Sequence, residues 1–136
     1  MRLWFSRAPV RTVQAYVAAM NARDLDTMTT FMGENMLLVD SAGQELEGRP
    51  AAQAVFSRLF SEAKTFELRI DRYSYSRGQV LMSGHLESDH PAISNSTHFR
   101  ARADESFVHE WQSYASHPVQ SLARIMRNTG RPQPPA

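Results

Sequence analysis

Chemistry in this chain can start from two side chains. Asp40 closes an apolar run, Met36-Leu37-Leu38-Val39, and Tyr16 sits among Val13, Val17 and Met20. A carboxylate facing inward from the end of such a strand has the dry surroundings in which a general base works. A tyrosine on the buried side of a helix keeps its ring in the core, so its hydroxyl must find a partner or aim into a pocket. Each residue also has a plainer reading. Asp40 can open the turn Ser41-Ala42-Gly43 by accepting backbone N–H groups, and Tyr16 can be a core residue bonded to a carbonyl or to water.

Other chemistries have less to build on. His85, Glu87 and Asp89 share one strand face, with His90 after them, and these residue types can hold a divalent cation. Such neighbours at a strand end are more often a solvated edge, and no helical histidine pair accompanies them, so no metal is expected. The sequence has no cysteine, which excludes disulfides, thiol nucleophiles and thiolate metal sites. Glycine-rich phosphate loops and a serine nucleophile elbow are missing. No cofactor is expected, and acid–base work in a pocket is what remains. Asn95-Ser96-Thr97 fits a glycosylation sequon and is read as accidental.

The elements that would position Tyr16 and Asp40 follow from periodicity. Val10, Val13, Val17 and Met20 recur at helical spacing behind Pro9. Asp24 can cap a second, shorter helix that runs to about Met32 and is stopped by Gly33. Met36 to Asp40 and Gln44 to Glu47 read as a hairpin, and Pro50 to Lys64 as a third helix. Phe66, Leu68 and Ile70 then alternate with polar residues, and the phase changes before Tyr73 and Tyr75, as a bulge would cause. Strands follow at Gln79–Ser88, Ser94–Arg102 and Ser106–Tyr114. The order α-α-β-β-α-β-β-β-β implies an α+β fold, with helices covering one face of an antiparallel meander. The domain expected is 9–116, with an N-terminal extension 1–8 and a C-terminal tail 117–136 that has room for a short helix.

This order, together with Tyr16-Val17-Ala18-Ala19-Met20-Asn21-Ala22-Arg23-Asp24-Leu25-Asp26, resembles the nuclear-transport-factor-2-like or SnoaL-like superfamily, and within it the ketosteroid isomerases. Thr97-His98-Phe99-Arg100 is similar to an isomerase strand motif in which aspartate precedes histidine-phenylalanine-arginine. The resemblance implies a cystatin-like roll, a cone of three N-terminal helices on a strongly curved, mostly antiparallel sheet. It implies Tyr16 as oxyanion donor and Asp40 as general base, 24 positions apart. The worked logic for that pair is a carboxylate removing a proton beside a carbonyl while donors hold the enolate oxygen. Thr97 stands where the isomerases have a protonated aspartate and is expected as a second donor beside Tyr16, and Phe56 stands where they can have a tyrosine.

Phe31, Phe56, Phe60 and Phe99 are the expected apolar lining, either walling the pocket or filling it. On the last strand, alternation puts Val108, Glu110, Gln112 and Tyr114 on one face and Phe107, His109, Trp111 and Ser113 on the other. By analogy with the isomerases, Glu110, Gln112 and Tyr114 line the pocket, and Phe107 and Trp111 lie on an outer face suited to a homodimer. With the faces reversed, Trp111 becomes a pocket wall and Glu110 is solvated.

The reaction expected is an isomerase, cyclase or dehydratase step on a small apolar carbonyl compound. A non-catalytic ligand-binding or dimerisation module of the same fold is the alternative. Epoxide hydrolysis ranks third, because it needs Arg69, Arg100 or Arg102 inside beside Asp40 and a second carboxylate such as Glu110. Fifteen Lys and Arg against fourteen Asp and Glu disfavour nucleic acid as a partner. After Glu110 there are no acids, while Arg124, Arg127 and Arg131 follow, a bias read as a solvated basic tail. No apolar run is long enough to span a membrane, and the absence of cysteine fits a cytoplasmic setting.

Overall fold

The computed structural model describes residues 7–90, 93 and 96–115. Most of the expected N-terminal extension, Asn95 of the sequon, and the tail 117–136 with its arginines and short helix lie outside the described residues. The elements are α1 (Ala8–Asn21), α2 (Leu25–Thr30), β1 (Met32–Val39), β2 (Glu45–Glu47), α3 (Arg49–Glu62), β3 (Phe66–Ser76), β4 (Gln79–Ser88), β5 (His98–Ala103) and β6 (Val108–Tyr114). Order and type agree with the sequence reading. The six strands form one sheet in the order β2-β1-β6-β5-β4-β3, antiparallel throughout except for the parallel pair β1–β6.

Several boundaries shift by a few residues, and one shift has a visible cause. The second helix stops at Thr30, and Met32 and Gly33 already belong to β1. The cause is a sheet bond: Val108 N–H donates to the Phe31 carbonyl at 2.7 Å and draws the chain into the ladder. Gly33 is therefore no helix stop. A Cβ there would come within 2.7 Å of His109 Nδ1, so the bare backbone makes room for that ring.

The segment between α1 and α2 is held by its own side chains. Asn21 donates to the Leu68 carbonyl at 2.9 Å and accepts from Leu68 N–H at 2.7 Å, pinning the end of α1 to β3. Arg23 turns its guanidinium onto the carbonyls of Phe60, Ala63 and Lys64. These lie at the C-terminal end of α3, where carbonyls have no helical partner and a cation is favoured. Asp24 caps α2 by accepting from Thr27 N–H at 3.1 Å.

Two bulges set the faces of the sheet. The phase change in β3 is a bulge between Ile70 and Arg72, opposite Gly84. A Cβ on Gly84 would lie 1.9 Å from the Arg69 carbonyl oxygen, a close approach that glycine permits. In β6 the register slips between the pairs Arg102–Glu110 and Ala103–Val108, so His109 is an extra residue. Because a one-residue slip reverses every later side chain, Val108 and Trp111 are both buried although they lie three apart. Strict alternation through Val108 fails for this reason. Trp111 and Ser113 face the helices, and Glu110, Gln112 and Tyr114 take the outer face. The core joins α1 and α3 to the inner residues of β1, β3, β4, β5 and β6.

Candidate active site

One end of this core is incompletely filled. An apolar cavity of about 50 Å³ is walled by Met20 from α1, by Val55, Phe56 and Leu59 from α3, and by Leu38, Phe99 and Trp111 from the sheet. Ser41, Ser96 and Ser113 contribute hydroxyl-bearing residues to the wall. A water needs about 10–15 Å³ of such space, and a cavity that takes benzene has about 150 Å³. The space therefore suits a few small atoms until its walls move.

Tyr16 and Asp40 sit directly behind that wall. The Tyr16 ring packs on Trp111 at 5.7 Å between centroids and edge-on to Phe56 at 6.4 Å. Asp40 lies between the wall residues Val39 and Ser41, two positions beyond Leu38, which pairs with Trp111 in the sheet. Tyr16 thus packs on one residue of the cavity wall, and Asp40 follows the β1 segment that pairs with the same strand. Both residues are fully buried.

Their hydrogen bonds are incomplete. Asp40 Oδ1 accepts from Ala42 N–H at 3.0 Å and Gln44 N–H at 2.9 Å, so the turn-opening reading describes this oxygen. Asp40 Oδ2 has no partner. Tyr16 Oη has none either, and among the described residues these are the two buried side-chain polar atoms left unmatched. A buried polar group without a partner costs about 1–3 kcal/mol. Burial pushes the Tyr16 phenol well above its ordinary pKa, so the hydroxyl stays protonated as a donor. One unmatched donor and one unmatched acceptor therefore flank an apolar space, an arrangement able to bind a carbonyl oxygen and to take up a proton.

The other expected site residues divide. Phe56 and Phe99 are wall residues, while Phe60 stands behind them, packed on Phe56 and Phe66. Phe31 is elsewhere, half-buried in a surface recess with Arg11, Thr12 and Ala15. Thr97 does not line the cavity; its hydroxyl meets His98 Nδ1 at 3.0 Å, and it is the preceding Ser96 that turns inward. Glu110, Gln112 and Tyr114 do not line it either. On the outer face Arg100 donates to the Glu110 carboxylate, to Gln112 Oε1 at 2.8 Å and to Tyr114 Oη at 3.3 Å. Arg102 approaches Glu110 at 3.6 Å, and Arg69 is paired with Glu67 in solvent. No arginine of the three stands beside Asp40.

The histidine-rich edge is structural. Asp89 accepts from the N–H groups of Lys64 and Thr65, and His90 Nε2 meets Glu62 at 2.6 Å, so this strand end is tied to the end of α3. The His90 hydrogen bond, and after it Arg58, hold the Glu62 carboxyl below the usual range. No three His, Asp or Glu side chains among the described residues gather as metal ligands. Among the wall residues missing from the sequence-derived set are Ser41, Ser96, Ser113 and, expected there only with the faces of β6 reversed, Trp111. The signal for the last two was the bulge, which appears in sequence only as two apolar residues, Val108 and Trp111, out of phase.

The SnoaL-like domain family matches residues 13–114, most of the chain. The chain belongs to the SnoaL-like domain family. Solved structures agree on the fold. A protein assigned as a SnoaL-like polyketide cyclase from Shewanella denitrificans is 14% identical with a TM-score of 0.68, over 88% of this chain and 96% of that one. An LEH-like epoxide hydrolase from M. tuberculosis is 16% identical with a TM-score of 0.69, over 90% and 91%. A protein with a ketosteroid isomerase-like fold from Catenulispora acidiphila, solved with trimethylamine, is 16% identical with a TM-score of 0.65, over 89% and 93%. Comparison with curated proteins gives no match. These likenesses establish the SnoaL-like fold of this chain, an α+β cystatin-like roll. Among the described residues no helix is long and apolar enough to cross a membrane.

Proposed function

We propose that this SnoaL-like protein is a cofactor-free enzyme that moves a proton on a small, apolar carbonyl compound, with Asp40 as base and Tyr16 as donor. The observation that carries the reading is the pair of unmatched buried atoms, Tyr16 Oη and Asp40 Oδ2, behind one apolar cavity. Asp40 Oδ2 takes a proton from the carbon beside the carbonyl. The C–H electron pair moves through the new C=C bond to place charge on the carbonyl oxygen, and the Tyr16 O–H stabilises that charge. Return of the proton to another carbon isomerises the substrate; return to the same carbon exchanges it. Oδ1, held by Ala42 and Gln44, fixes the carboxylate plane while Oδ2 works. A ligand that meets both groups must widen the cavity towards them.

A non-catalytic ligand-binding module of the same fold is the second reading, favoured by the absence of Thr97 from the cavity wall. Epoxide hydrolysis has less support, since Arg100 and Glu110 bond to each other on the outer face. That face, where Leu81 and Tyr114 are exposed, is the surface on which a homodimer would form. The absence of cysteine suits a cytoplasmic protein.

Deuterium uptake at the carbon beside the carbonyl of butan-2-one in heavy water, followed by NMR, separates the two main readings. The wild type is expected to catalyse exchange, and Asp40→Asn to lower the rate by about 10²–10⁴-fold with its circular dichroism unchanged. Exchange that is as fast in Asp40→Asn as in the wild type removes Asp40 from the mechanism.

A further inference from the structure

Two more hydroxyls face the cavity without a use. Ser96 is 2% exposed and Ser113 is 7% exposed, and both are wall residues. They stand at the same end of the sheet, Ser113 near the end of β6 and Ser96 just before β5 begins, where Leu86 N–H bonds the Ser96 carbonyl and Thr97 N–H the Tyr114 carbonyl. Ser113 pairs with Phe99 on one side and continues the inner row that holds Trp111. No side-chain hydrogen bond ties either hydroxyl to another described residue, whereas Ser61 and Ser88 each bond a carbonyl nearby. Unlike Tyr16 Oη and Asp40 Oδ2 they are not sealed in the core but belong to residues of the cavity wall, where a polar group is met by water or by a ligand. An apolar wall with two idle hydroxyls is built for a ligand carrying an oxygen of its own at that place.

The rest of the wall limits what that ligand is. Among the described residues no lysine, arginine or histidine contributes to it, and the buried Asp40 carboxylate lies behind it. An anionic ligand would meet a like charge with no cation to offset it in a poorly solvating site. The small volume favours a compact molecule.

We propose that the cavity takes a small neutral compound with two oxygen functions, a carbonyl directed to Tyr16 and a hydroxyl or second carbonyl held by Ser96 and Ser113. This rests on the proton-transfer reading for the carbonyl end alone. An α-hydroxyketone is the simplest member of the class: Asp40 removes a proton from the hydroxymethyl carbon, and its electron pair passes to the carbonyl oxygen to give an enediolate. Proton return to the former carbonyl carbon, with transfer of the hydroxyl proton, gives the α-hydroxyaldehyde. No other reactant is needed.

Hydroxyacetone and butan-2-one test this, because they have the same number of heavy atoms and differ by a hydroxyl in place of a methyl. Deuterium exchange of each is measured with the protein and, for the intrinsic acidity difference, with acetate buffer as the base. After that normalisation the wild type is expected to favour hydroxyacetone by about tenfold or more, and Ser113→Ala and Ser96→Ala to bring the ratio towards one. A normalised ratio near one in the wild type overturns the two-oxygen proposal and leaves Asp40 catalysis standing. If neither compound exchanges, proton transfer falls, and binding decides the ligand class: tighter binding of hydroxyacetone than butan-2-one, abolished by Ser113→Ala, supports the proposal. Equal binding, or tighter binding of pyruvate, overturns it.

Discussion

The two faces of β6 present the same kinds of polar atoms and treat them in opposite ways. On the outer face, Arg100 binds Glu110, Gln112 and Tyr114, and Arg102 adds a second contact to Glu110. On the inner side, behind Trp111, a tyrosine hydroxyl and a carboxylate oxygen are buried with no partner among the described residues. Outer polar groups are matched to each other, which is what stability selects. Inner ones are left open at a cost, and proteins keep such a cost chiefly where a ligand will meet it. The contrast is what the proposed chemistry rests on: the outer polar groups satisfy one another, and the inner ones do not.

The most damaging way to test that contrast is Trp111→Ala. Trp111 is 5% exposed and touches the rings of Tyr16 and Phe99. Removing it from a packed core is expected to cost about 3–5 kcal/mol, read as a large fall in the denaturant midpoint. It should also enlarge the cavity enough for benzene to raise the melting temperature. A loss below about 1 kcal/mol, the scale of a surface change, would mean that Trp111 does not stand between the helices and the sheet.

A gentler pair sharpens the same contrast. Glu110→Ala leaves Arg100 short of its main acceptor, with side chains 14% and 21% exposed. Between the limits for surface and buried pairs, a loss of about 1–3 kcal/mol is expected, with no change in exchange activity. Tyr16→Phe removes a hydroxyl with no partner among the described residues, so stability should change by less than about 1 kcal/mol, or rise, while exchange activity falls. Equilibrium unfolding and NMR exchange on both variants check the crossing pattern. If Tyr16→Phe is the more destabilising of the two, its hydroxyl has a structural partner and the contrast between the faces fails.

How much of this was legible in the sequence depends on whether a local pattern or a register carried the information. The helices, the strand order and the β3 bulge could be read because periodicity, Pro9, Asp24 and the phase change at Tyr73 are local signals. Tyr16 and Asp40 were readable because apolar neighbours on their own elements predict burial. The segment Asn21-Ala22-Arg23-Asp24, which supports the family resemblance, turns out to hold the fold: Asn21 grips β3, Arg23 caps α3 and Asp24 caps α2. A motif can therefore identify a fold through residues that do no chemistry. Ser113 and the true faces of β6 were not readable, because they depend on one inserted residue, His109, whose effect appears only when β5 is laid alongside.

That inserted residue has its own support, and acid should weaken it. His109 Nε2 meets Asp104 Oδ2 at 2.7 Å, while Asp104 Oδ1 accepts from Ser106 and Phe107 N–H. The hydrogen bond from His109, then those from Phe107 and Ser106, pull the Asp104 carboxyl down to about 2. Its ordinary value is about 3.9, so the folded state favours the ionised form. The stability this contributes is fully present above about pH 4 and is lost as pH falls through about 2. Asp104 is half-exposed, which keeps the effect below about 1 kcal/mol, the smallest of those expected. Melting temperatures of wild type and Asp104→Ala, compared from pH 6 to pH 2, should therefore converge as the carboxyl takes up its proton. A gap between wild type and Asp104→Ala that stays constant down to pH 2 would show that the charge of Asp104 does nothing for the bulge, leaving the turn and the space above Gly33 to fix which side of β6 faces the cavity.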